Sequence, residues 1–146
     1  RADASGYFGD ITRTFVRGKV SEDVQRLYDT VLSAQLEALE AVCAGADGAA
    51  IHQNVQKHFA DAGYRSGEID GRMQGYFHGT GHGVGLEIHE APSLGRRTDV
   101  LAAGQTLTVE PGLYYAGLGG VRIEDLVIIE TDGYRNVTTF PKTLQL

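Results

Sequence analysis

The chain is organised around one stretch, His78-Gly79-Thr80-Gly81-His82-Gly83-Val84-Gly85-Leu86-Glu87-Ile88-His89-Glu90, which holds three of the five histidines. The four-residue spacing of His78 and His82 would place both rings on one face of a helix. Every second residue from Gly79 to Gly85 is glycine, however, and each glycine disfavours a helix by about 1 kcal/mol. We therefore predict a glycine-rich loop that leads into a strand over residues 83–89, with alternate side chains facing a shared pocket.

The composition is that of an ordinary globular domain and excludes several classes of function. The 146 residues are 42% hydrophobic and 22% charged, which is enough chain for one domain with a core. A net charge of −6 argues against nucleic acid as a partner. No apolar run is long enough to span a membrane, and no signal-peptide pattern is visible. The single cysteine, Cys43, excludes a disulfide framework. We expect a cytoplasmic protein.

The first half of the chain predicts one strand and two helices. Residues 6–16 are rich in β-branched and aromatic side chains and predict a strand, on which Asp10 taken alone would be a solvated edge residue. Ser21 is a good cap for a helix that ends near Gly45. A second helix follows Asp47, and His52 and His58 lie off its apolar stripe, so we expect both on the surface. Two helices with one apolar face each require a sheet to pack against.

The second half predicts mainly strands and turns. Residues 64–74 are polar and predict a loop, and residues 91–93 predict a turn. Residues 105–110 alternate as a strand that stops at Pro111. A hairpin turn at residues 117–120 precedes the strongest strand, residues 121–129, and Asp132-Gly133 predicts another hairpin.

Four side chains on or next to these strands could form a metal site: Asp10, His82, Glu110 and Glu124. Carboxylates with imidazole and without thiolate suit divalent Mn, Co, Zn or Fe. Carboxylates around one point repel each other unless cations lie between them, and two bridged metals would also lower the pKa of a bound water. The alternative is that Glu110 and Glu124 are half-exposed strand ends and that Arg122 pairs with a surface acid.

Four motifs in order resemble the pita-bread metallopeptidases, and most closely their Xaa-Pro dipeptidase (prolidase) and aminopeptidase P branch. They are Gly-Tyr-Phe-Gly-Asp-Ile-Thr at residues 6–12, the histidine stretch at 78–90, Thr-Val-Glu-Pro-Gly at 108–112 and Val-Arg-Ile-Glu-Asp at 121–125. The resemblance covers essentially the whole chain. It implies an α+β fold, with a curved antiparallel sheet that has the helices on its outer face and the site on its inner face.

The resemblance also implies a pair of divalent metal ions, with Mn preferred and Co, Zn or Fe as alternatives. Asp10 and Glu124 would be bridging ligands, and His82 would bind one ion. Glu110 would be both a ligand and the proton shuttle for the bridging water. The implied reaction is hydrolysis of Xaa-Pro peptide bonds, with a proline-containing peptide as substrate and a homo-oligomer left open.

Three further residues would contact the substrate. His78 and His89 are expected to hold it and to donate hydrogen bonds in the transition state. Arg122 is expected near the substrate carboxylate or the ligands, because its planar fork suits a carboxylate. Methionine aminopeptidases share the first motif and the Gly-His-Gly element but lack the Arg-Ile-Glu-Asp form, so a methionine aminopeptidase-like peptidase is the second choice.

The chain departs from the family pattern at its start. The family has a further metal-binding Asp upstream of Asp10, and Asp3 lies only seven residues before Asp10, closer than the family spacing, so we do not assign it. The expectation is that residues 1–146 are the C-terminal part of a metallopeptidase catalytic domain, truncated at its N-terminus. A non-catalytic pita-bread module that binds peptides is therefore the alternative from another class. No Gly-x-Ser-x-Gly or Gly-x-Gly-x-x-Gly pattern supports serine hydrolase or dinucleotide chemistry.

Overall fold

A computed structural model of the chain describes residues 4–146 and contains two helices followed by nine short strands. The helices are α1 (Glu22–Glu40) and α2 (Gly48–Asp61). The strands are β1 (Gly67–Ile69), β2 (Arg72–Gln74), β3 (Gly81–Gly83), β4 (Glu90–Leu94), β5 (Thr106–Val109), β6 (Gly112–Tyr115), β7 (Gly119–Arg122), β8 (Asp125–Glu130) and β9 (Gly133–Asn136).

Both helices begin where capping side chains predict. Ser21 accepts a hydrogen bond from the Val24 backbone N–H, and Asp47 accepts one from Ala49, so each satisfies a donor that the first turn leaves free. Helix α2 ends just before Gly63, whose φ of +88° suits the left-handed position after a helix. Helix α1 ends at Glu40, several residues earlier than the predicted end near Gly45.

Five strands form an antiparallel sheet in the order β4-β3-β5-β8-β9. The central pair is in register with Leu107 opposite Val127 and Val109 opposite Asp125. Strands β6 and β7 form a separate hairpin at the predicted Gly-rich turn, and β8 and β9 form another at Asp132-Gly133. The order brings β3, the end of β5 and the start of β8 side by side, which is what positions the candidate site.

Several predicted boundaries in the second half are wrong. The strand expected over residues 83–89 ends at Gly83, because the chain must turn before Glu90 can pair with Gly83. Residues 91–93, expected to be a turn, belong to β4 and include a cis peptide bond before Pro92. The expected loop at 64–74 contains the β1–β2 hairpin, and the single strand over 121–129 is divided into β7 and β8.

The predicted strand over residues 6–16 is an extended segment rather than a ladder strand. It joins the fold through two isolated bridges, Thr12 with Glu124 and Val16 with Gln145. Phe8 adds a backbone hydrogen bond to the Gly85 carbonyl at 2.9 Å. These contacts place Asp10 next to the histidine stretch, residues 78–90. Asp3 lies outside the described residues.

One core lies between the helices and the strands. Helix α1 packs against β5, β6 and β7, while α2 packs against α1 and β4. The side chains in this core that are almost fully inaccessible include Leu27, Val31, Leu39, Phe59, Leu94, Leu101, Leu107, Val109, Leu113, Ile123, Val127 and Ile129. The expected packing of both helices against strands is thus observed. No helix within residues 4–146 is long and apolar enough to cross a membrane.

A buried carboxylate, Asp125, joins the two ends of the described chain to the sheet. It lies 2.6 Å from Arg13 Nη2 and 2.6 Å from Lys142 Nζ. Asn136 and Gln35 donate two further hydrogen bonds to it. Burial alone would raise the pKa of Asp125, but the hydrogen bonds from Lys142, Arg13 and Asn136 lower it below the ordinary value, so the carboxylate is charged.

Candidate metal centre

Three of the four proposed ligands converge from distant parts of the sequence. One ligand atom each from Asp10, His82 and Glu124 lie within 4.8 Å of one another. The fourth, Glu110, joins them through its Oε1, which is 3.0 Å from His82 Nε2. Asp10 Oδ2 lies 3.8 Å from the same ring nitrogen. A single ion placed among these atoms would be within reach of imidazole and carboxylate ligands together.

The sheet order explains this convergence. His82 is the middle residue of β3, Glu110 directly follows β5, and Glu124 directly precedes β8. Since β3, β5 and β8 are neighbours, the three side chains meet at one end of the ladder. Asp10 is added from the N-terminal segment, where the Glu124 backbone N–H donates to the Thr12 carbonyl at 3.0 Å.

The glycines of β3 allow its neighbours to come unusually close. A Cβ on Gly81 would lie 1.9 Å from the Thr108 carbonyl oxygen, and one on Gly83 would lie 2.2 Å from the Ala91 carbonyl oxygen. No side chain fits in either space. Glycine at these two positions therefore lets the backbone of β3 approach the flanking strands closely.

The orientation of His82 leaves one ring nitrogen for a ligand. Its Nδ1 lies 3.0 Å from the Gly83 carbonyl oxygen, to which a protonated Nδ1 donates. In the neutral ring, Nε2 then presents its lone pair to the carboxylates of Glu110 and Asp10. Burial alone would lower the pKa of His82, but the hydrogen bonds with Glu110 and Gly83 raise it, so a proton occupies Nε2 readily when no cation does.

The carboxylates at this centre are crowded. Glu124 is only 1% exposed, and burial, reinforced by the charges of Glu110 and Asp10, raises its pKa to about 7 despite a hydrogen bond from Thr12. Burial would also raise the pKa of Glu110, but hydrogen bonds from His82 and Thr108 lower it below the ordinary value. A divalent cation would relieve this repulsion, so the donor set fits the metal that the resemblance implies.

Arg122 lies beside the ligands, at the edge of the centre. Its Nε donates to Thr12 Oγ1 at 3.1 Å and lies 3.9 Å from a carboxylate oxygen of Glu110 and from one of Glu124. Thr12 in turn donates to Glu124. The Arg122 side chain is 41% exposed, so part of the guanidinium remains available to a ligand in the cavity. Arg122 therefore lies near two of the proposed ligands, Glu110 and Glu124.

A cavity of about 590 Å³ opens next to the centre. Its lining includes His78, His82, His89, Glu110, Tyr114, Arg122, Phe77 and Ser93. His78 Nε2 lies 2.9 Å from the Tyr114 hydroxyl, and burial lowers the pKa of His78. The rings of His82 and His89 are in contact, with centroids 4.3 Å apart. All three candidate substrate residues thus border the same space as the ligands.

The sequence interpretation gave no role to several residues that the structure places at this site. Thr108 accepts from the His82 backbone N–H and donates to Glu110, and Tyr114 contacts His78. The period of two on β5 puts Thr108 on the same face as Glu110, which is a signal that could have been used. His52 was expected on the surface, but it is 3% exposed. His58 is partly buried and pairs with Glu37 at 2.9 Å.

Comparison with known proteins gives one family and a consistent set of relatives. The model of metallopeptidase family M24 matches residues 2–131. The Xaa-Pro dipeptidase of Pyrococcus furiosus is 39% identical over 139 residues, which are 94% of this chain and 38% of that protein. The solved structure of an Xaa-Pro dipeptidase from Bacillus anthracis superposes with a TM-score of 0.87 at 43% identity, covering 97% of this chain and 38% of that one. An X-Pro aminopeptidase from Thermotoga maritima gives 0.86 at 34% identity, with the same coverage. The chain therefore spans little more than a third of the length of these relatives.

Proposed function

Because this chain belongs to metallopeptidase family M24, we propose that it is the C-terminal, metal-binding part of a peptidase that hydrolyses Xaa-Pro bonds. Its fold is the pita-bread fold that the resemblance implied, since prolidase and aminopeptidase P structures superpose on it with TM-scores of 0.80 to 0.87. The observation that carries the proposal is the meeting of Asp10, His82, Glu110 and Glu124 at one end of the sheet. The proline-specific part rests on relatives named Xaa-Pro dipeptidases at 39% identity.

These four side chains would hold two divalent ions, which polarise a peptide carbonyl and acidify a water when bound. We assign proton transfer to Glu110. It borders the cavity, and the Thr108 hydroxyl donates to it at 3.1 Å. An ionised carboxylate at this position can accept the proton of the attacking water and pass it to the leaving amine. Mn²⁺ is our first choice of ion, with Co²⁺, Zn²⁺ and Fe²⁺ as alternatives, because the donors are oxygen and imidazole without thiolate.

The cavity residues bind and orient the peptide in this proposal. His78 and His89 stand on the wall next to His82, where a ring N–H of His89 can donate to the carbonyl oxygen on which charge develops. Arg122 is held near the ligands by Thr12, and its exposed part can pair with a substrate carboxylate. The low pKa of His78 keeps that ring neutral, so Nδ1–H donates to the Gly79 carbonyl at 2.7 Å and Nε2 accepts from the Tyr114 hydroxyl, which is thereby oriented in the cavity wall.

The first experiment is elemental analysis of the chain after incubation with Mn²⁺ and desalting. The proposal expects about two ions per chain, one for each position of a dinuclear site. Glu124→Gln should lose them, whereas Glu130→Gln, on the exposed end of the same strand, should keep them. Metal bound equally by both variants would exclude Glu124 as a ligand.

The second experiment is hydrolysis of Xaa-Pro dipeptides, both by this chain and by a protein that carries it at the length of its relatives. Glu124→Gln should abolish turnover in any form that is active, and unchanged turnover would refute the assignment of that residue. Peptide binding without cleavage in the metal-loaded protein would instead favour a non-catalytic binding module. Faster release of N-terminal methionine than cleavage before proline would favour a methionine aminopeptidase-like enzyme.

A further inference from the structure

A buried polar cluster lies behind the histidine stretch, outside the cavity. Helix α2 contributes His52, which is 3% exposed, and the segment before β3 contributes the buried side chains of Tyr76 and Thr80. His52 Nδ1 lies 2.9 Å from Thr80 Oγ1 and 3.2 Å from the Tyr76 hydroxyl. The two hydroxyl oxygens are 2.5 Å apart. We call these three side chains the His52 cluster. None of them lines the cavity at the metal centre.

With His52 Nδ1 unprotonated, the His52 cluster has a proton arrangement in which every contact of Thr80 is a hydrogen bond. In it the Tyr76 hydroxyl donates to Thr80 Oγ1, and the Thr80 hydroxyl donates to Nδ1 of His52. Each hydroxyl proton is then used once, and Thr80 has a partner for both its donor and its acceptor. Because hydroxyl groups in a dry interior are costly to leave unpaired, this arrangement fixes the rotamer of Thr80.

The backbone of Thr80 connects the His52 cluster to the proposed metal centre. It lies midway between His78 and His82, and its carbonyl oxygen accepts a hydrogen bond from the Glu110 backbone N–H at 2.7 Å. Its own N–H donates to the Leu94 carbonyl at 2.7 Å, which joins it to β4. Thr80, whose side chain contacts His52, therefore positions the backbone of Glu110 through a direct hydrogen bond. It also positions the backbone of His82, which is two residues further along the chain.

The ring of Tyr76 provides a second connection. It packs edge to face against Phe59 of α2, with centroids 5.2 Å apart, and against His78, also at 5.2 Å. A shift of the Tyr76 hydroxyl would thus move a ring that touches His78. Both routes begin at His52 and end on residues of the proposed site.

We propose that His52 is a positioning residue for the metal centre, which acts through Thr80 to set the distance between His82 and Glu110. The inference rests on the proposed metal-binding function. His52 touches neither ligand in the structure, so it takes no part in the chemistry itself. Of the two connections, the backbone hydrogen bond between Glu110 and Thr80 is the one that contacts a proposed ligand directly.

Three variants separate positioning from a contribution to overall stability. His52→Leu removes Nδ1 at a similar side-chain size. His52→Asn places an amide group where Nδ1 stands and should rescue the contact with Thr80. His58→Leu is the matched control, because His58 lies on the same helix and its side chain pairs with Glu37, away from the His52 cluster.

The first readout is Co²⁺ affinity, measured by titration of its visible absorbance. His52→Leu should bind Co²⁺ about 10-fold more weakly, the size of effect that supporting residues have at metal sites. His52→Asn and His58→Leu should stay near the wild-type affinity. Equal affinity in His52→Leu and the wild type would overturn the proposal.

The second readout needs no metal and is amide hydrogen exchange. In His52→Leu the Glu110 N–H should exchange faster relative to the Ile129 N–H, which donates to the Gln105 carbonyl at the other end of the same strand pair. Equal acceleration of both amides would mean that His52 contributes to stability alone, and acceleration of neither would mean that it supports neither stability nor the site; either result would refute the proposal. Wild-type protein that binds no Co²⁺ would refute the metal-binding function instead, while the exchange ratio would still decide the role of His52.

Discussion

Gly81→Ala should separate two strands that the metal centre needs side by side. The added Cβ would lie 1.9 Å from the Thr108 carbonyl oxygen, whereas real Cβ atoms essentially never come within 3.0 Å of another heavy atom, so the oxygen must retreat by at least 1.1 Å. The obstacle is backbone and not the end of a flexible side chain. Strand β5 must therefore move, and with it the Thr108 hydroxyl that contacts both His82 and Glu110.

The expected loss of unfolding free energy follows from these contacts. Overpacking of this kind destabilises by about 1–3 kcal/mol, and weakening one or two neighbouring hydrogen bonds adds about 1 kcal/mol each. Alanine also restricts the unfolded chain more than glycine does, which raises the unfolding free energy by about 0.4–1 kcal/mol. We therefore expect Gly81→Ala to lose about 2 to 3 kcal/mol and to weaken metal binding.

Urea unfolding followed by far-ultraviolet circular dichroism measures the loss, since the chain has no tryptophan. Gly79→Ala is the matched control, two residues earlier in the same stretch. Its Cβ would meet only the Leu94 carbonyl oxygen, at 3.3 Å, before other atoms near 3.9 Å. That change should stay within about 1 kcal/mol of wild type. Equal unfolding free energies for the two variants would refute the reasoning from close strand approach.

Three further changes test other parts of the structure. Asp125→Ala leaves Arg13 and Lys142 without their buried carboxylate and should lower the unfolding free energy by about 3–5 kcal/mol in urea, whereas Asp61→Ala at an exposed ion pair should cost less than about 1 kcal/mol. Burial, with the charge of Arg96, holds the pKa of His52 below its ordinary value of 6.5. The unfolded chain therefore takes up a proton that the folded chain excludes, so the unfolding free energy falls as the pH drops through 6.5. The unfolding free energy of His52→Asn should fall less over the same range. Saturating Mn²⁺, at about 100 times its Kd, should raise the unfolding free energy by about 2.7 kcal/mol for each ion bound, or about 5.4 kcal/mol for two, and EDTA or Glu124→Gln should remove that increment; an unchanged increment in Glu124→Gln would contradict the assigned ligand set.

Features set by local chemistry could be predicted from the sequence. Ser21 and Asp47 cap the two helices as expected, because each side chain satisfies a backbone donor only two or three residues away. The strand before Pro111 and the turns at Gly117–Gly120 and Asp132-Gly133 followed from alternation and turn residues in the same way.

Features set by distant partners could not be predicted in this way. The alternation after Gly83 resembles a strand, but the chain turns there so that Glu90 can pair with Gly83. Nothing near His52 reveals that two hydroxyl groups, 24 and 28 residues further along, will surround it in the core. Asp10 taken alone looked like a solvated residue. Only the order of the motifs indicated that it meets His82, and that indication came from resemblance rather than from local physics.

The bridge between Thr12 and Glu124 has a consequence for the order in which this protein is made and folds. Its two residues are 112 positions apart, so the N-terminal segment is synthesised long before its partner exists. Contacts this far apart in sequence close late, after the helices and hairpins have formed locally. Metal uptake should therefore coincide with the last phase of refolding, and a nascent chain that ends before β8 should leave Asp10 without the residue that completes its cluster.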